Sequence, residues 1–168
     1  MKTLFSLALT ILFSSLAFSQ DEKVKKWDTD KYYVEIPANW SFDGSGANGT
    51  KFMMYSPSDG EGDTFKENIN LIVQDLSAQP MSLDDYTELS LTQYMSMGVT
   101  VSENVQTANP MRQKLVLSTE QGGYKLRLVQ YYWMIDDHAY VLTLTCLQDE
   151  HDDYWEAGIK AMDSFKVK

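Results

Sequence analysis

A short acidic segment has the residue types of a cation site. Asp59, Glu61 and Asp63 alternate there with turn-forming residues, and calcium prefers such clustered oxygen ligands. An EF-hand loop counted from Asp59 needs glycine at its sixth position and glutamate at its twelfth, where this chain has Thr64 and Asn70. Because both ligand-loop residues are missing and a predicted strand follows, the pattern favours a solvated turn, with calcium as the weaker alternative.

A second acidic cluster surrounds one of the two histidines. Its members are Asp149, His151, Asp152 and Asp153. A histidine beside carboxylates could hold zinc, but zinc sites usually bring more than one His or Cys. The same residues open a predicted helix, whose N-terminus favours negative charge. We therefore expect helix capping here, with Asp149 as the N-cap, and a metal only as the weaker alternative.

The residues needed for catalysis do not form a recognisable pattern. The histidines, His138 and His151, both fall in predicted surface turns or helix ends, whereas a Ser-His-Asp triad needs a buried aspartate that orients the base. The chain has no Gly-x-Ser-x-Gly elbow, and its glycine-rich segment 43–50 does not link a strand to a helix as a phosphate loop does. The sequence thus predicts a protein that is not an enzyme and holds no cofactor. A hydrolase with an unrecognised site remains an alternative.

Aromatic residues suggest one further kind of site. Trp40, Tyr55, Tyr131 and Trp133 could line a groove for a hydrophobic ligand, a peptide or a carbohydrate. Aromatic side chains in alternating segments are more often part of an ordinary core, which is the competing interpretation.

Hydrophobic periodicity places these candidates on strands and two helices. The predicted strands span residues 32–36, 51–56, 67–76, 99–106, 111–120, 124–135 and 138–147. Ser82 with Asp85 resembles a capping box that opens one helix, which Gly98 can end. The second helix is expected from about residue 150 to 165, where Trp155 and Ile159 repeat at helical spacing.

The order of these elements predicts an α+β fold. The last three strands form an antiparallel meander, because only short turns separate them. The strand over 124–135 carries apolar residues on both of its faces, which indicates a sheet that is covered on both sides. We therefore expect an antiparallel sheet packed by helices, an α/β/α sandwich, in a single domain over residues 20–168.

The first nineteen residues have the pattern of a secretory signal peptide. A basic start at Lys2, an apolar run over 4–16 and the small-x-small segment Ala17-Phe18-Ser19 precede Gln20. The apolar run is shorter than the roughly 20 residues that a membrane-spanning helix needs. We expect an exported, soluble protein, periplasmic or extracellular, without membrane insertion after cleavage. Charged residues 21–26 predict a flexible lead-in to the domain.

Composition restricts the partners. Without residues 1–19 the chain keeps 13 basic and 24 acidic residues, a net charge of −11. Such a balance opposes binding to nucleic acid, which requires clustered Lys and Arg. The single cysteine, Cys146, cannot form an internal disulfide, and its alternating strand predicts a buried apolar role.

Three local patterns resemble the PsbP-like family. They are the segment 33–40, which ends in Ile36-Pro37-Ala38-Asn39-Trp40, the segment 67–73, and the aromatic hairpin over 131–142. PsbP is an extrinsic accessory protein of photosystem II, and its fold is shared by a Ran-binding nuclear import factor and by exported bacterial proteins of unassigned role. The resemblance implies an exported, non-enzymatic accessory module that binds another protein of the cell envelope. A small-ligand or metal-binding periplasmic protein is the alternative.

Overall fold

The computed structural model describes residues 24–168, which form ten strands and two α-helices. The strands are β1 (Lys25–Asp28), β2 (Tyr32–Ile36), β3 (Ser41–Asp43), β4 (Phe52–Tyr55), β5 (Asn68–Asp75), β6 (Thr100–Ala108), β7 (Met111–Gln121), β8 (Tyr124–Ile135), β9 (His138–Leu147) and β10 (Lys166–Val167). The helices are α1 (Leu83–Ser96) and α2 (His151–Ser164). The predicted signal peptide, residues 1–19, lies outside the described residues.

Seven strands form one antiparallel sheet in the order β3-β4-β5-β9-β8-β7-β6, and β1, β2 and β10 form a second, smaller sheet. The predicted meander of β7, β8 and β9 is confirmed. Asp136 and Asp137 connect β8 to β9, and both have positive φ angles, 49° and 57°. Two such residues are typical of a two-residue hairpin turn whose twist matches the flanking strands.

The large sheet is covered on both faces, as the apolar pattern of β8 predicts. Val129, Tyr131 and Trp133 pack in the core beneath α2 and the small sheet. The neighbouring Tyr132 and Met134 point to the other face and pack in the core beneath α1. The architecture is therefore α+β with an α/β/α arrangement, confirming the predicted fold class.

The two helices begin differently. The predicted capping box of α1 is confirmed, because Ser82 Oγ accepts a hydrogen bond from the Asp85 N–H and the Asp85 carboxylate accepts one from the Ser82 N–H. The expectation that Asp149 caps α2 is wrong. Glu150 is the N-cap there, and it makes no capping hydrogen bond through its side chain.

Three short strands were not predicted. β1 begins at Lys25, inside the expected lead-in, and β3 precedes the expected glycine-rich loop. β10 has only two residues, and it exists because Lys166 and Val167 pair with β2. Strands this short contain too few residues for an alternating pattern to be recognised. Whether they form depends on pairing with strands that are distant in the chain.

Cys146 is buried, as predicted, and burial raises the pKa of its thiol to about 12. Such a thiol stays protonated at neutral pH and is a poor nucleophile. None of the helices between residues 24 and 168 is long and apolar enough to cross a membrane.

Candidate functional site

The structure brings the two predicted acidic segments together at the N-terminal end of α2. The Tyr154 hydroxyl donates a hydrogen bond to Asp59 Oδ2. Within the loop, the carboxylate of Asp63 accepts hydrogen bonds from the N–H groups of Asp59 (3.2 Å) and Phe65 (3.0 Å). Two segments that were considered separately as cation sites are therefore parts of one acidic junction, which comprises Asp59, Asp63, Glu67, Glu150 and Asp153.

The mutual repulsion of these carboxylates is visible at Glu150. Desolvation raises the pKa of this carboxyl, and the negative charges of Glu67, Asp59, Asp63 and Asp153 raise it further. Glu61 and Asp149, the predicted carboxylate ligands outside this junction, are exposed. Among residues 24–168, no three His, Cys, Asp or Glu side chains are placed to hold a metal ion.

Sequence analysis missed the buried member of the junction, Glu67. Its side chain is only 1% exposed; Oε2 accepts a hydrogen bond from Ser56 Oγ at 2.9 Å, and Oε1 has no partner. A signal was present, since alternation places Glu67 on the same face as the buried Ile69 and Leu71.

His151 lies at the start of α2 as predicted, but it is 5% exposed rather than on the surface. Its Nδ1 lies 2.9 Å from Asp152 Oδ1, and its Nε2 has no partner. The imidazole centroid lies 4.3 Å from that of Trp155, one helical turn later. His151 therefore packs against Trp155 in the first turns of α2.

The structure does not bring the four predicted groove aromatics together in one groove. Trp40, Tyr131 and Trp133 are all buried in the core beneath α2. Tyr55 is half-buried, next in β4 to the core residue Met54, so its side chain points to the opposite face of the sheet.

An open groove does exist beside α2, built on a different aromatic residue. Its volume is about 450 Å³. The lining residues lie along one side of the helix: Trp155, Glu156, Ile159, Lys160 and Asp163. The part of this side that carries Trp155 and Asp163 faces the strands β7 and β8, because basic side chains of these strands contact both residues.

Basic side chains of β7 and β8 contact two of the lining residues, Trp155 and Asp163. Arg112 makes an ion pair with Asp163 (2.9 Å), and its guanidinium carbon lies 3.9 Å from the ring centroid of Tyr131. Lys114 Nζ and the Arg127 guanidinium carbon each lie 5.7 Å from the ring centroid of Trp155. Both arginines of an acidic chain therefore lie on the same face of the sheet. We call this feature the Trp155 groove.

The second open feature is the outer edge of β6. This strand ends the large sheet and pairs on one side only, with β7. It has nine residues, whereas the strand at the opposite edge, β3, has three. Within the described part of the chain, the outward backbone groups of β6 have no backbone partner.

Three solved structures are similar to this one. CyanoP, the cyanobacterial PsbP of Synechocystis, is 14% identical, with a TM-score of 0.59 over 86% of this chain and 92% of its own. LpqN, involved in cell envelope biogenesis of Mycobacterium tuberculosis, is 12% identical, with a TM-score of 0.60 over 89% and 87%. A Pseudomonas aeruginosa protein of unknown function, for which a regulatory role has been suggested, is 16% identical, with a TM-score of 0.58 over 84% and 94%.

No family model and no curated protein matches the sequence. At identities of 12–16% the similarity concerns the fold alone. The chain has the PsbP-like fold, as the sequence patterns predicted.

Proposed function

We propose that this protein is an exported, non-enzymatic accessory module that binds another protein of the cell envelope by accepting a strand of that partner at the edge of β6. The observation that carries the proposal is the length of this unpaired edge, nine residues. An extended peptide that joins a sheet edge gains main-chain hydrogen bonds, a common mode of protein recognition.

The edge of β6 has few of the features that normally prevent strand addition. Exposed edges are usually kept short or carry charges, prolines or bulges. β6 has one irregularity, between Val101 and Glu103 near its start, and its pairing with β7 is regular from Glu103 to Ala108. Its only charge, Glu103, is engaged by Lys114 at 2.9 Å. The regular part is therefore suited to pairing.

Apolar side chains flank the same edge. Val105 is 46% exposed and Met111, opposite Ala108 in the adjoining strand, is 64% exposed. Side chains of an added strand would cover part of this apolar surface, which favours association.

Export and the absence of catalysis rest on separate support. The pattern of residues 1–19 favours export, and LpqN, with the same fold, is involved in cell envelope biogenesis. Neither histidine has the buried aspartate that orients a catalytic base: His138 Nδ1 lies 2.6 Å from the Asp136 carbonyl, and the partner of His151 Nδ1, Asp152, is exposed to solvent.

Two adjacent proline substitutions test the site on β6. Backbone N–H groups of an edge strand point alternately inward and outward, so one of Asn104→Pro and Val105→Pro removes a hydrogen bond to β7 and the other removes only an outward donor. Thermal unfolding shows which of the two variants has lost the hydrogen bond to β7, because that substitution lowers the melting temperature more.

Binding is then measured with the partner itself. Wild-type protein captures it from the envelope fraction, mass spectrometry identifies it, and the purified partner is titrated against each variant. The outward proline is expected to abolish binding while the matched control Val105→Thr retains it. Wild-type affinity in the folded outward-proline variant would refute the proposal.

Export is tested separately from binding. The mass of the native protein from an extracytoplasmic fraction is expected to correspond to a chain that starts at Gln20. Recovery of the full 168-residue chain from the cytoplasm alone would contradict export.

A further inference from the structure

We infer that the Trp155 groove binds a small organic monocarboxylate, whose carboxylate pairs with Arg127 and whose apolar part lies against Trp155 and Ile159. This inference is independent of the proposed strand addition, because the groove lies on a face of the sheet and β6 contributes its edge.

The unpaired charge of Arg127 is the first observation. Arg112 is neutralised by Asp163 and Lys114 by Glu103, each at 2.9 Å, whereas Lys160, the cation of the groove wall, is exposed on α2 and makes no ion pair among the described residues. Within residues 24–168, no ion pair or hydrogen bond of the Arg127 side chain is formed, even though the chain has 24 acidic residues. A guanidinium presents a planar fork of donors that matches a carboxylate, and such charge-assisted pairs are among the stronger hydrogen bonds.

The shape and lining of the groove are the second observation. It is an open surface groove with a volume of about 450 Å³, so a ligand would lie along the helix and not be enclosed. Trp155 and Ile159 stand one helical turn apart on its wall and supply the apolar contact surface. Packing of His151 against Trp155 holds the indole in place before any ligand arrives, which lowers the entropy lost on binding.

The acidic side chains of the wall select the charge of the ligand. Glu156 lines the same groove, and Asp163 lies beside it in its ion pair with Arg112, so a dianion such as phosphate would meet the negative charge of Glu156 close to its binding position. A single carboxylate joined to an apolar body satisfies Arg127 and keeps the rest of the ligand uncharged beside these acids.

A titration followed by NMR tests the inference on the whole chain without its first nineteen residues. The probe is 3-phenylpropanoate, with the uncharged 3-phenylpropanamide as its matched control, and the observed signals are the indole N–H resonances of the four tryptophans. Trp155→Phe assigns the resonance of Trp155. We expect a saturable shift of that resonance with the carboxylate and a much smaller effect of the amide.

The variant Arg127→Gln is expected to weaken binding of the carboxylate about tenfold, the effect of losing one charge-assisted pair. Lys51→Gln, which removes an exposed lysine distant in sequence from the groove, is the control and should bind as wild type. If Arg127→Gln fails to fold, Arg127→Lys replaces it, which keeps the positive charge but lacks the planar fork of donors, with a smaller expected loss. Equal binding of the amide or of inorganic phosphate, a shift confined to another indole, or unchanged affinity in folded Arg127→Gln would overturn the inference.

Discussion

Tyr154 of α2 donates a hydrogen bond from its hydroxyl to Asp59, which lies 95 residues earlier in the chain. This contact holds the acidic loop against the first turns of the helix, where Glu150 and Asp153 add their own negative charges. The N-terminal end of a helix favours negative charge, so α2 offsets part of the repulsion that the loop introduces.

The substitution Tyr154→Phe removes this contact and leaves the aromatic ring in place beside Trp40. We expect the free energy of unfolding to fall by about 1 kcal/mol, the typical net value of a hydrogen bond and less than that of a buried one to a charged group, because Asp59 is exposed to solvent. Urea unfolding measures the change. A double-mutant cycle with Asp59→Ala should show coupling, and strictly additive effects would mean that the two side chains do not interact in solution.

The raised pKa of Glu150 predicts that the stability of the protein depends on pH. Its pKa is higher in the folded protein than the usual value, so in the pH range between these two values the native state binds more protons than the unfolded chain, and stability falls as pH rises. Glu150→Gln should therefore raise the melting temperature at pH 7, and the difference from wild type should shrink as pH falls towards about 4.3, the usual glutamate pKa.

An exposed acid on the other helix is the matched control for that experiment. Glu88→Gln on α1 removes the same charge without relieving the acidic junction, so its effect on the melting temperature at pH 7 should be smaller. A destabilised Glu150→Gln at pH 7, or a difference that grows on acidification, would contradict the repulsion inferred at the helix start.

The long elements of this fold were predictable because their residues repeat. β8 and β9 were predicted with the bounds they have, since each alternates over ten or more residues and a two-residue turn joins them. α1 was recognised from its capping box. β1 and β10 were not, because the pairing partner of each, β2, supplies the stabilisation that their own sequences lack.

The candidate sites were harder to predict for a related reason. The acidic junction and the Trp155 groove each combine residues that are distant in sequence, such as Asp59 with Tyr154 and Arg127 with Trp155. Periodicity states which face of an element a residue occupies, but not which strands a helix covers. The groove depends on α2 packing mainly on β9 and β2 and meeting β7 through side-chain contacts such as Asp163 with Arg112, an arrangement set by packing of the whole core.

Buried thiol and phenol groups predict a loss of stability in alkali. Burial raises the pKa of Cys146 to about 12, and those of Tyr86 and Tyr131 also to about 12. In the unfolded chain these groups lose their protons near about 8.5 and 10. Above pH of about 8.5 the unfolded chain therefore binds fewer protons than the native state, so their contribution to stability, complete below that pH, is lost as pH rises towards 12.

Thermal unfolding between pH 7 and 11 measures this loss. The loss between about pH 8.5 and 10 comes from the thiol, because it loses its proton at a lower pH than the phenols in the unfolded chain. In Cys146→Ala, the melting temperature should therefore fall less than that of wild type over this pH range. A melting temperature that stays constant up to pH 11 would show that these groups are accessible to solvent in the native state.

Gly158 of α2 sits against Leu144 of β9, where that helix packs on the large sheet. A Cβ atom placed on Gly158 would lie 2.7 and 2.9 Å from the two Cδ atoms of Leu144, and both residues are buried. Alanine is favoured over glycine within a helix by about 1 kcal/mol, but crowding in a packed core costs about 1–3 kcal/mol. Gly158→Ala should therefore lower the free energy of unfolding by about 1 kcal/mol in chemical denaturation.

The effect of Gly158→Ala on the free energy of unfolding should reverse when Leu144 is replaced by a residue without Cδ atoms. In a Leu144→Val background the added methyl group of Gly158→Ala has room, so helix propensity dominates and the double variant should be more stable than Leu144→Val alone by up to about 1 kcal/mol. Equal destabilisation by Gly158→Ala in both backgrounds would place the conflict in the helix itself and not at its contact with β9.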